Sequence, residues 1–256
     1  MNERIYKCEL EYYKCFSHTE ENENIIRFCD DKLRDMYYHN FTYVSKVSTK
    51  ENLHEILKKE ISYNHLVGRD FCNIMIDTEY KNFDWLSFEN KPRISVNGYY
   101  SFDISNIDLL KGNNNAQIEK VTDKTKLDDV LYCDLQQDEK TSGRDFCQRR
   151  CYRRGEVYLS ESGVDSYICY FNGKPVGNCD LFIYDKVAKI EDFAVIPQCQ
   201  RRGIGTAILK HLIKVAIDKN CDMLYLVTDE ADTAKEMYQK LSFTKIGERT
   251  DLFYKF

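Results

Sequence analysis

Apolar and polar positions fall into short blocks along this chain, and their spacing switches between the period of a strand and that of a helix. The clearest run is in the last third. Ile190 to Pro197 reads as a buried or half-buried strand that a proline stops. Ala207, Ile208, Leu212, Val215 and Ala216, with Ile213 at the edge, form one helical stripe beginning near Thr206. Met223 to Val227 is a second apolar strand, followed by a helical segment carrying Ala234, Met237, Tyr238 and Leu241. Upstream, Ser166 to Phe171 and Val176 to Tyr184 flank Asn172-Gly173, which predicts a hairpin.

The first half resembles the second only when the two are laid side by side. Thr42 to Phe71 and Ala116 to Phe146 share Lys46-Val47 with Lys120-Val121, Leu53 with Leu127 and Leu57 with Leu131. Gly68-Arg69-Asp70-Phe71-Cys72 recurs as Gly143-Arg144-Asp145-Phe146-Cys147. The pattern suggests an internal duplication, each copy a strand, a helix and a loop. The strands are expected at Thr42 to Val47 and Gln117 to Val121, with helices from near Lys50 and Lys124. Two further runs, Cys72 to Ile76 and Arg93 to Tyr100, complete the first copy, and Lys111 to Asn115 reads as the linker. This divides the chain into 1–112 and 116–256. The first module either packs on the second and stabilises it or walls its acceptor cleft.

Between the proline-stopped strand and the helix lies Gln200-Arg201-Arg202-Gly203-Ile204-Gly205. A glycine turn that opens a helix presents unpaired N–H groups at the positive end of the helix dipole, a site for a phosphate or pyrophosphate. Gly203 and Gly205 let an anion approach the backbone, and Arg201 and Arg202 add charge around it. The turn is not a Walker A loop, since no G-K-[ST] follows, and the third glycine of a dinucleotide fingerprint would fall at Ile208.

The order V-x-P-x-x-Q-R-R-G-I-G-T closely resembles the acetyl-CoA motif of the GNAT N-acetyltransferase superfamily, [QR]-x-x-G-x-[GA], met here by Gln200, Gly203 and Gly205. Ala234, Met237, Tyr238, Lys240, Leu241 and Phe243 resemble that family's A-x-x-[LM]-Y-x-K-x-G-F segment. The resemblance runs from about Gln117 to the C-terminus. It implies a GNAT fold, a mixed and mostly antiparallel α+β sheet flanked by helices, in tandem with a smaller, degenerate GNAT-like module. It also implies transfer of an acetyl group from acetyl-CoA to a primary amine. The backbone of Phe193, Ala194 and Val195 would hold the pantetheine arm and thioester. The pyrophosphate would meet the backbone of Gln200, Arg201, Arg202, Gly203, Ile204, Gly205 and Thr206. Tyr238 stands where the family protonates the leaving thiolate, its bland reading being a core tyrosine.

The base is less obvious. Glu191 and Asp192 precede Phe193, and regular alternation would put Glu191 on the face of Phe193 and Val195, a parity that a bulge would upset. Either one could point into the acceptor cleft, directly or through a water, or be a solvated strand carboxylate; Glu191 is carried forward as the candidate, and which carboxylate is the base stays open. Asp229, Glu230 and Asp232 form another acidic group, Asp232 as the expected N-cap of the Tyr238 helix. The asparagine often found seven residues before the tyrosine is Ala231 here, and the glycine of the closing L-G-F is Ser242. Gly143-Arg144-Asp145 and Arg149 to Arg154 make a basic cluster, read as a solvated helix face or as a charge rim for an anionic acceptor or the cofactor's 3′-phosphate.

Composition narrows the rest. The 256 residues are 43% hydrophobic with a formal charge of −5, which argues against a partner bound by phosphate neutralisation, nucleic acid above all. Eleven cysteines without paired C-x-x-C motifs predict reduced thiols, no metal and a cytoplasmic protein. No signal-like or membrane-spanning run is expected from the sequence. The expected partner is a small-molecule or peptide amine, the chain a monomer or homodimer. The competing reading is a catalytically weak acyl-CoA-binding sensor or scaffold.

Overall fold

A computed structural model describes residues 2–45, 47, 49–76 and 91–256. Helix α1 (Glu3–Lys14) precedes strands β1 (His18–Glu21), β2 (Ile25–Cys29) and β3 (Phe41–Val44). Helix α2 (Lys50–Leu66), β4 (Phe71–Ile76) and β5 (Arg93–Ser101) complete the first half. The second half runs β6 (Ala116–Lys120), α3 (Lys124–Ser142), α4 (Arg144–Tyr158), β7 (Val164–Phe171), β8 (Lys174–Tyr184) and β9 (Val187–Val195). It ends with α5 (Ile204–Asp218), β10 (Met223–Asp229), α6 (Ala234–Lys240) and β11 (Thr244–Lys255).

The strands of the described residues join one sheet in the order β1-β2-β3-β4-β11-β5-β10-β9-β8-β7-β6. The order is palindromic about the β11–β5 seam, β6 aside. β3–β4 and β9–β10 are the parallel pairs, each joined by a crossover helix, α2 and α5, while the other neighbours are antiparallel. The last strand of each half has crossed into the other's sheet. β5 lies between β10 and β11, and β11 lies between β5 and β4. The fold is thus the mixed, mostly antiparallel α+β architecture expected, with its halves sharing strands.

The topological repeat is offset from the sequence identity. The pairing places β3-α2-β4 opposite β9-α5-β10, whereas the matched residues equate β3-α2 with β6-α3. Gly68 and Gly143 both end a helix with positive φ, +72° and +82°. After them, however, Phe71 opens strand β4 and Phe146 lies inside helix α4. Lys46, half of one matched pair, lies outside the described residues.

Buried aromatic rings on α1 pack against strands of both halves. Helix α1 buries Ile5, Cys8, Leu10, Tyr12 and Tyr13. Tyr12 meets Phe182 of β8 edge-on at 5.7 Å, and Tyr13 meets Phe41 of β3 at 4.8 Å. Such pairs are worth about 0.5–1.5 kcal/mol each beyond their area. A smaller core lies under α2, where Leu53 and Leu57 pack on Ile74, Ile76, Leu252 and Tyr254. The segment expected to be a linker is also packed. Asn113 donates from its backbone to Gly203 O (3.0 Å) and from Nδ2 to Arg202 O (2.9 Å). A Cβ on Gly112 would lie 2.6 Å from Ala207 Cα, so only glycine fits there.

Candidate active site

Parallel pairing of β9 with β10 stops at Ile190 and Leu226, although both strands continue, to Val195 and Asp229. Past that point the two strands are no longer paired with each other. Opposite, β9 stays paired with β8, but the register slips between Asn178 and Asp180. Asp192 takes up the slip with φ of +51°, a bulge. Regular alternation therefore fails here. Glu191, Asp192, Phe193 and Ala194 all line one cavity of about 490 Å³.

The turn ahead of α5 leaves the helix N-terminus uncapped. Its N-cap is Gly203, in the left-handed region (φ +73°), and no side chain caps the helix. Ala207 N is the first amide to find a helical acceptor, Gly203 O at 3.0 Å. The N–H groups ahead of it have none within the helix. The equivalent crossover helix of the first half differs. The N-cap of α2 is Thr49, whose Oγ1 accepts from Asn52 N at 3.1 Å and occupies that terminus. Gln200 Nε2 donates to Val195 O (3.0 Å), tying the turn to the end of β9. The carbonyls of Arg202 and Gly203 are taken up by Asn113 of the linker. Arg201 and Arg202 are exposed, with no ion pair among the described residues. Gly205 sits under Phe193, where an added Cβ would lie 3.1 Å from Cζ.

Tyr238 lines the same cavity from α6. Its ring is buried against Phe243 (5.7 Å) and lies 6.3 Å from Phe193. Its hydroxyl has no hydrogen-bond partner among the described residues. Burial, with the negative charges of Glu191 and Asp232 nearby, pushes its phenol up, so it stays protonated at neutral pH. Asp232 stands one residue before the N-cap, Thr233, and accepts from Ala234 N at 3.1 Å.

The basic cluster on α4 splits: Arg144 and Arg149 stay exposed, Arg149 in an i,i+4 pair with Asp145 (2.8 Å), as a solvated face would have it, while Arg150, Arg153 and Arg154 turn inward. Arg154 is buried between Asp180 (2.6 Å) and Asp192 (2.5 Å). Arg150 pairs with Asp138 (2.6 Å) and Asp134 (3.3 Å), and Arg153 pairs with Asp30 (3.0 Å). Asp192 is held below the usual carboxylate range: burial opposes its charge, but Arg154 and Arg150 outweigh it. Asp134, also on the cavity wall, goes the other way. Burial, aided by the charge of Asp192, pushes it up to about 7 against Arg150. Glu191 is half-buried and bridged by Lys189 (2.9 Å), itself wholly buried and shared with Glu9 of α1 (2.5 Å).

The first half walls the cavity as well as packing on the second. Tyr12, Tyr13, Met36, Tyr38, His39 and Asn97 all line it. None was singled out in the sequence, since none lies near the glycine turn or the tyrosine helix. The His-Asn pair at 39–40 after a tyrosine-rich run was the only local signal, and it has no motif. No cysteine lines the cavity, and the described residues hold no cluster of three or more potential metal ligands. Among them no helix is long and apolar enough to cross a membrane.

Residues 131–243 match the model of the acetyltransferase (GNAT) family. A curated relative from Bacillus subtilis (strain 168), "Uncharacterized N-acetyltransferase CgeE", is 34% identical over 119 residues, 44% of this chain and 46% of its own length. The chain thus spans about half of that relative. Among solved structures, a conserved protein of unknown function from Staphylococcus epidermidis has a TM-score of 0.76 at 18% identity, covering 93% of this chain and 94% of that one. A GCN5-related N-acetyltransferase from Kribbella flavida follows with TM-score 0.69 at 11% identity, over 98% and 94% of the chains. A tandem GNAT protein from the clavulanic acid biosynthesis pathway has TM-score 0.57 at 9% identity, over 90% and 78%. These structures share the fold along nearly the whole chain, first half included.

Proposed function

We propose that this chain is an acetyl-CoA-dependent N-acetyltransferase acting on a primary amine by direct attack. Residues 116–256 form the transferase half, and residues 1–112 form the far wall of the acceptor cleft. One observation carries the reading. The uncapped glycine turn at the head of α5 stands next to the parting of β9 from β10, and the cavity lies at that parting. The backbone of residues 200–206 would take the pyrophosphate. The backbone of Phe193 to Val195 would take the pantetheine arm and orient the thioester carbonyl. Glu191, Asp192 and Asp229 give the cleft an acidic wall that suits an incoming ammonium. Glu191 is the residue proposed to meet that ammonium at the reacting end, and Tyr238 the acid that protonates the departing thiolate. The thiols support direct attack: Cys179, beneath the bulge, is wholly buried, and burial pushes its pKa far up.

The test is thiol release from acetyl-CoA with a panel of amino acids, polyamines, aminosugars and peptide N-termini, beside calorimetry with CoA. Turnover with one acceptor class and CoA binding at micromolar or better affinity is the expected outcome. Tight CoA binding with no release on any amine would instead make the chain an acyl-CoA sensor.

A further inference from the structure

The first half brings a carboxylate–imidazole pair to the acceptor cavity. We propose that His39, oriented by Asp30, is the catalytic base that deprotonates the acceptor ammonium. This rests on the transferase reading above. His39 lies in the segment between β2 and β3 and lines the cavity that also holds Glu191 and Tyr238. Its Nδ1 is 2.9 Å from Asp30 Oδ2. An ionised carboxylate only accepts, so Nδ1 carries the proton and the lone pair of the neutral ring is on Nε2. Nε2 has no hydrogen-bond partner among the described residues.

Everything around the pair fixes it. Asp30 is clamped by Arg153 Nε at 3.1 and 3.0 Å and accepts from Lys32 N at 3.1 Å. Asn40 ties the segment down: its Oδ1 accepts from Asp30 N (2.9 Å), and its Nδ2 donates to Leu33 O (2.9 Å) and Met36 O (3.0 Å). The His39 ring stacks on Phe16 at 4.8 Å, and Ser17 Oγ donates to His39 O at 2.8 Å. A carboxylate, a ring held in one tautomer and a packed support are what a base needs to act at a fixed point.

The charged groups facing the imidazole are Asp30, Arg153, Arg154 and, behind Arg154, Asp192. Burial and the two arginines push the imidazole below its ordinary value, outweighing the pull of Asp30. The ring is therefore neutral at pH 7, the form that accepts a proton. Asp30 stays ionised: burial opposes this, but the hydrogen bonds from His39 and Arg153 outweigh it.

The steps balance. Glu191 holds the ammonium and Nε2 takes one proton from it. The neutral nitrogen attacks the thioester carbonyl carbon, and the C–S bond breaks. The second nitrogen proton ends on sulfur by way of the Tyr238 hydroxyl, and His39 returns its proton to solvent. The products are the amide and CoA thiol.

The experiment uses the full chain, acetyl-CoA and the amine panel above, with kcat and kcat/KM measured against pH. In the wild type kcat/KM should fall on the acid side of about 6.5 as His39 is protonated. His39→Gln should lower kcat by about 10²-fold or more and erase that limb, with CoA affinity kept as the check on folding. His39→Ala should regain turnover with added imidazole, and Asp30→Asn should lose kcat with CoA binding intact. Should His39→Gln keep kcat within about three-fold, or keep the acid limb, the limb belongs to another group such as Asp134 and the assignment falls. A wild-type chain that binds CoA but acetylates no amine overturns the transferase reading and this role together. Normal wild-type turnover with an indifferent His39→Gln overturns the role of His39 alone.

Discussion

Tyr238 and Gly203 owe their proposed roles to what is missing around them. Tyr238 lines the cavity with its hydroxyl unpaired among the described residues, and its ring packs against Phe243. Tyr238→Phe keeps that packing and removes only the proton donor. Turnover should fall about 10²-fold while CoA affinity in calorimetry stays within two-fold. Gly203 has φ of +73°, and an added Cβ would lie 3.3 Å from Asn113 N. Gly203→Glu adds strain, a clash with the linker and an anion where the diphosphate would lie. CoA binding should become undetectable, with a melting temperature lowered by only a few degrees. Both residues stand out in the sequence as candidates because each sits in a local pattern, Gly203 in a basic glycine turn between a strand and a helix and Tyr238 on the helix after the next strand. The Glu191–Asp192 pair could not be resolved that way. Which side each faces depends on the slip opposite Asn178 and Asp180, and neither partner strand advertises it.

At the scale of elements, α1 matters beyond its apolar face. Glu9 is buried on that helix, and Lys189 of β9 and Arg249 of β11 (2.9 Å) both bridge to it. Tyr225 of β10 donates to Glu9 as well, at 2.7 Å. One carboxylate thus ties three strands, and Lys189 passes the restraint on to Glu191. Glu9→Gln would leave two buried cations short of a counter-charge, at a cost of about 3–5 kcal/mol in urea unfolding. The Glu9 carboxyl is held below its ordinary value: burial opposes ionisation, but Lys189 and Arg249 outweigh it. Its stabilisation is therefore fully present above the unfolded-state value, near 4.5, and is lost as pH falls through the lower folded value. The urea midpoint of the wild type should drop steeply with acid over that range, and that of Glu9→Gln should change less. A glutamate among tyrosines on an amphipathic helix gives no sequence sign of this, because its partners lie about 180 and 240 positions away. The α4 arginines were opaque for the same reason. Arg149 keeps an exposed i,i+4 pair with Asp145, while Arg153 and Arg154 turn inward to Asp30, Asp180 and Asp192, which stand on other elements.

The whole molecule is a sheet whose halves trade their last strands. That arrangement explains why the first half, lacking a glycine turn, is still part of the candidate site. It supplies β5 between β10 and β11, the α1 carboxylate behind Lys189, and the His39 wall of the cavity. The sequence signalled a repeated plan through Gly68 to Cys72 and Gly143 to Cys147, but placed the repeat in the wrong register. Short identities of that kind report on chain composition, while strand pairing is decided by contacts between distant segments. The linker at residues 111–115 looked like a place to divide the chain. It is a poor one, since Gly112 and Asn113 pack on the head of α5. Residues 116–256 made alone would leave β10 and β11 without the strand that joins them, and Lys189 and Arg249 without Glu9. Two long unpaired strand edges beside buried cations favour aggregation over folding. The fragment should be recovered insoluble, or with collapsed near-UV circular dichroism and poor dispersion of its amide NMR signals. Co-expression with residues 1–112 as a separate chain should restore a soluble complex that binds CoA. A fragment 116–256 that is monomeric, well dispersed and cooperative in urea would show that the exchanged strand is dispensable.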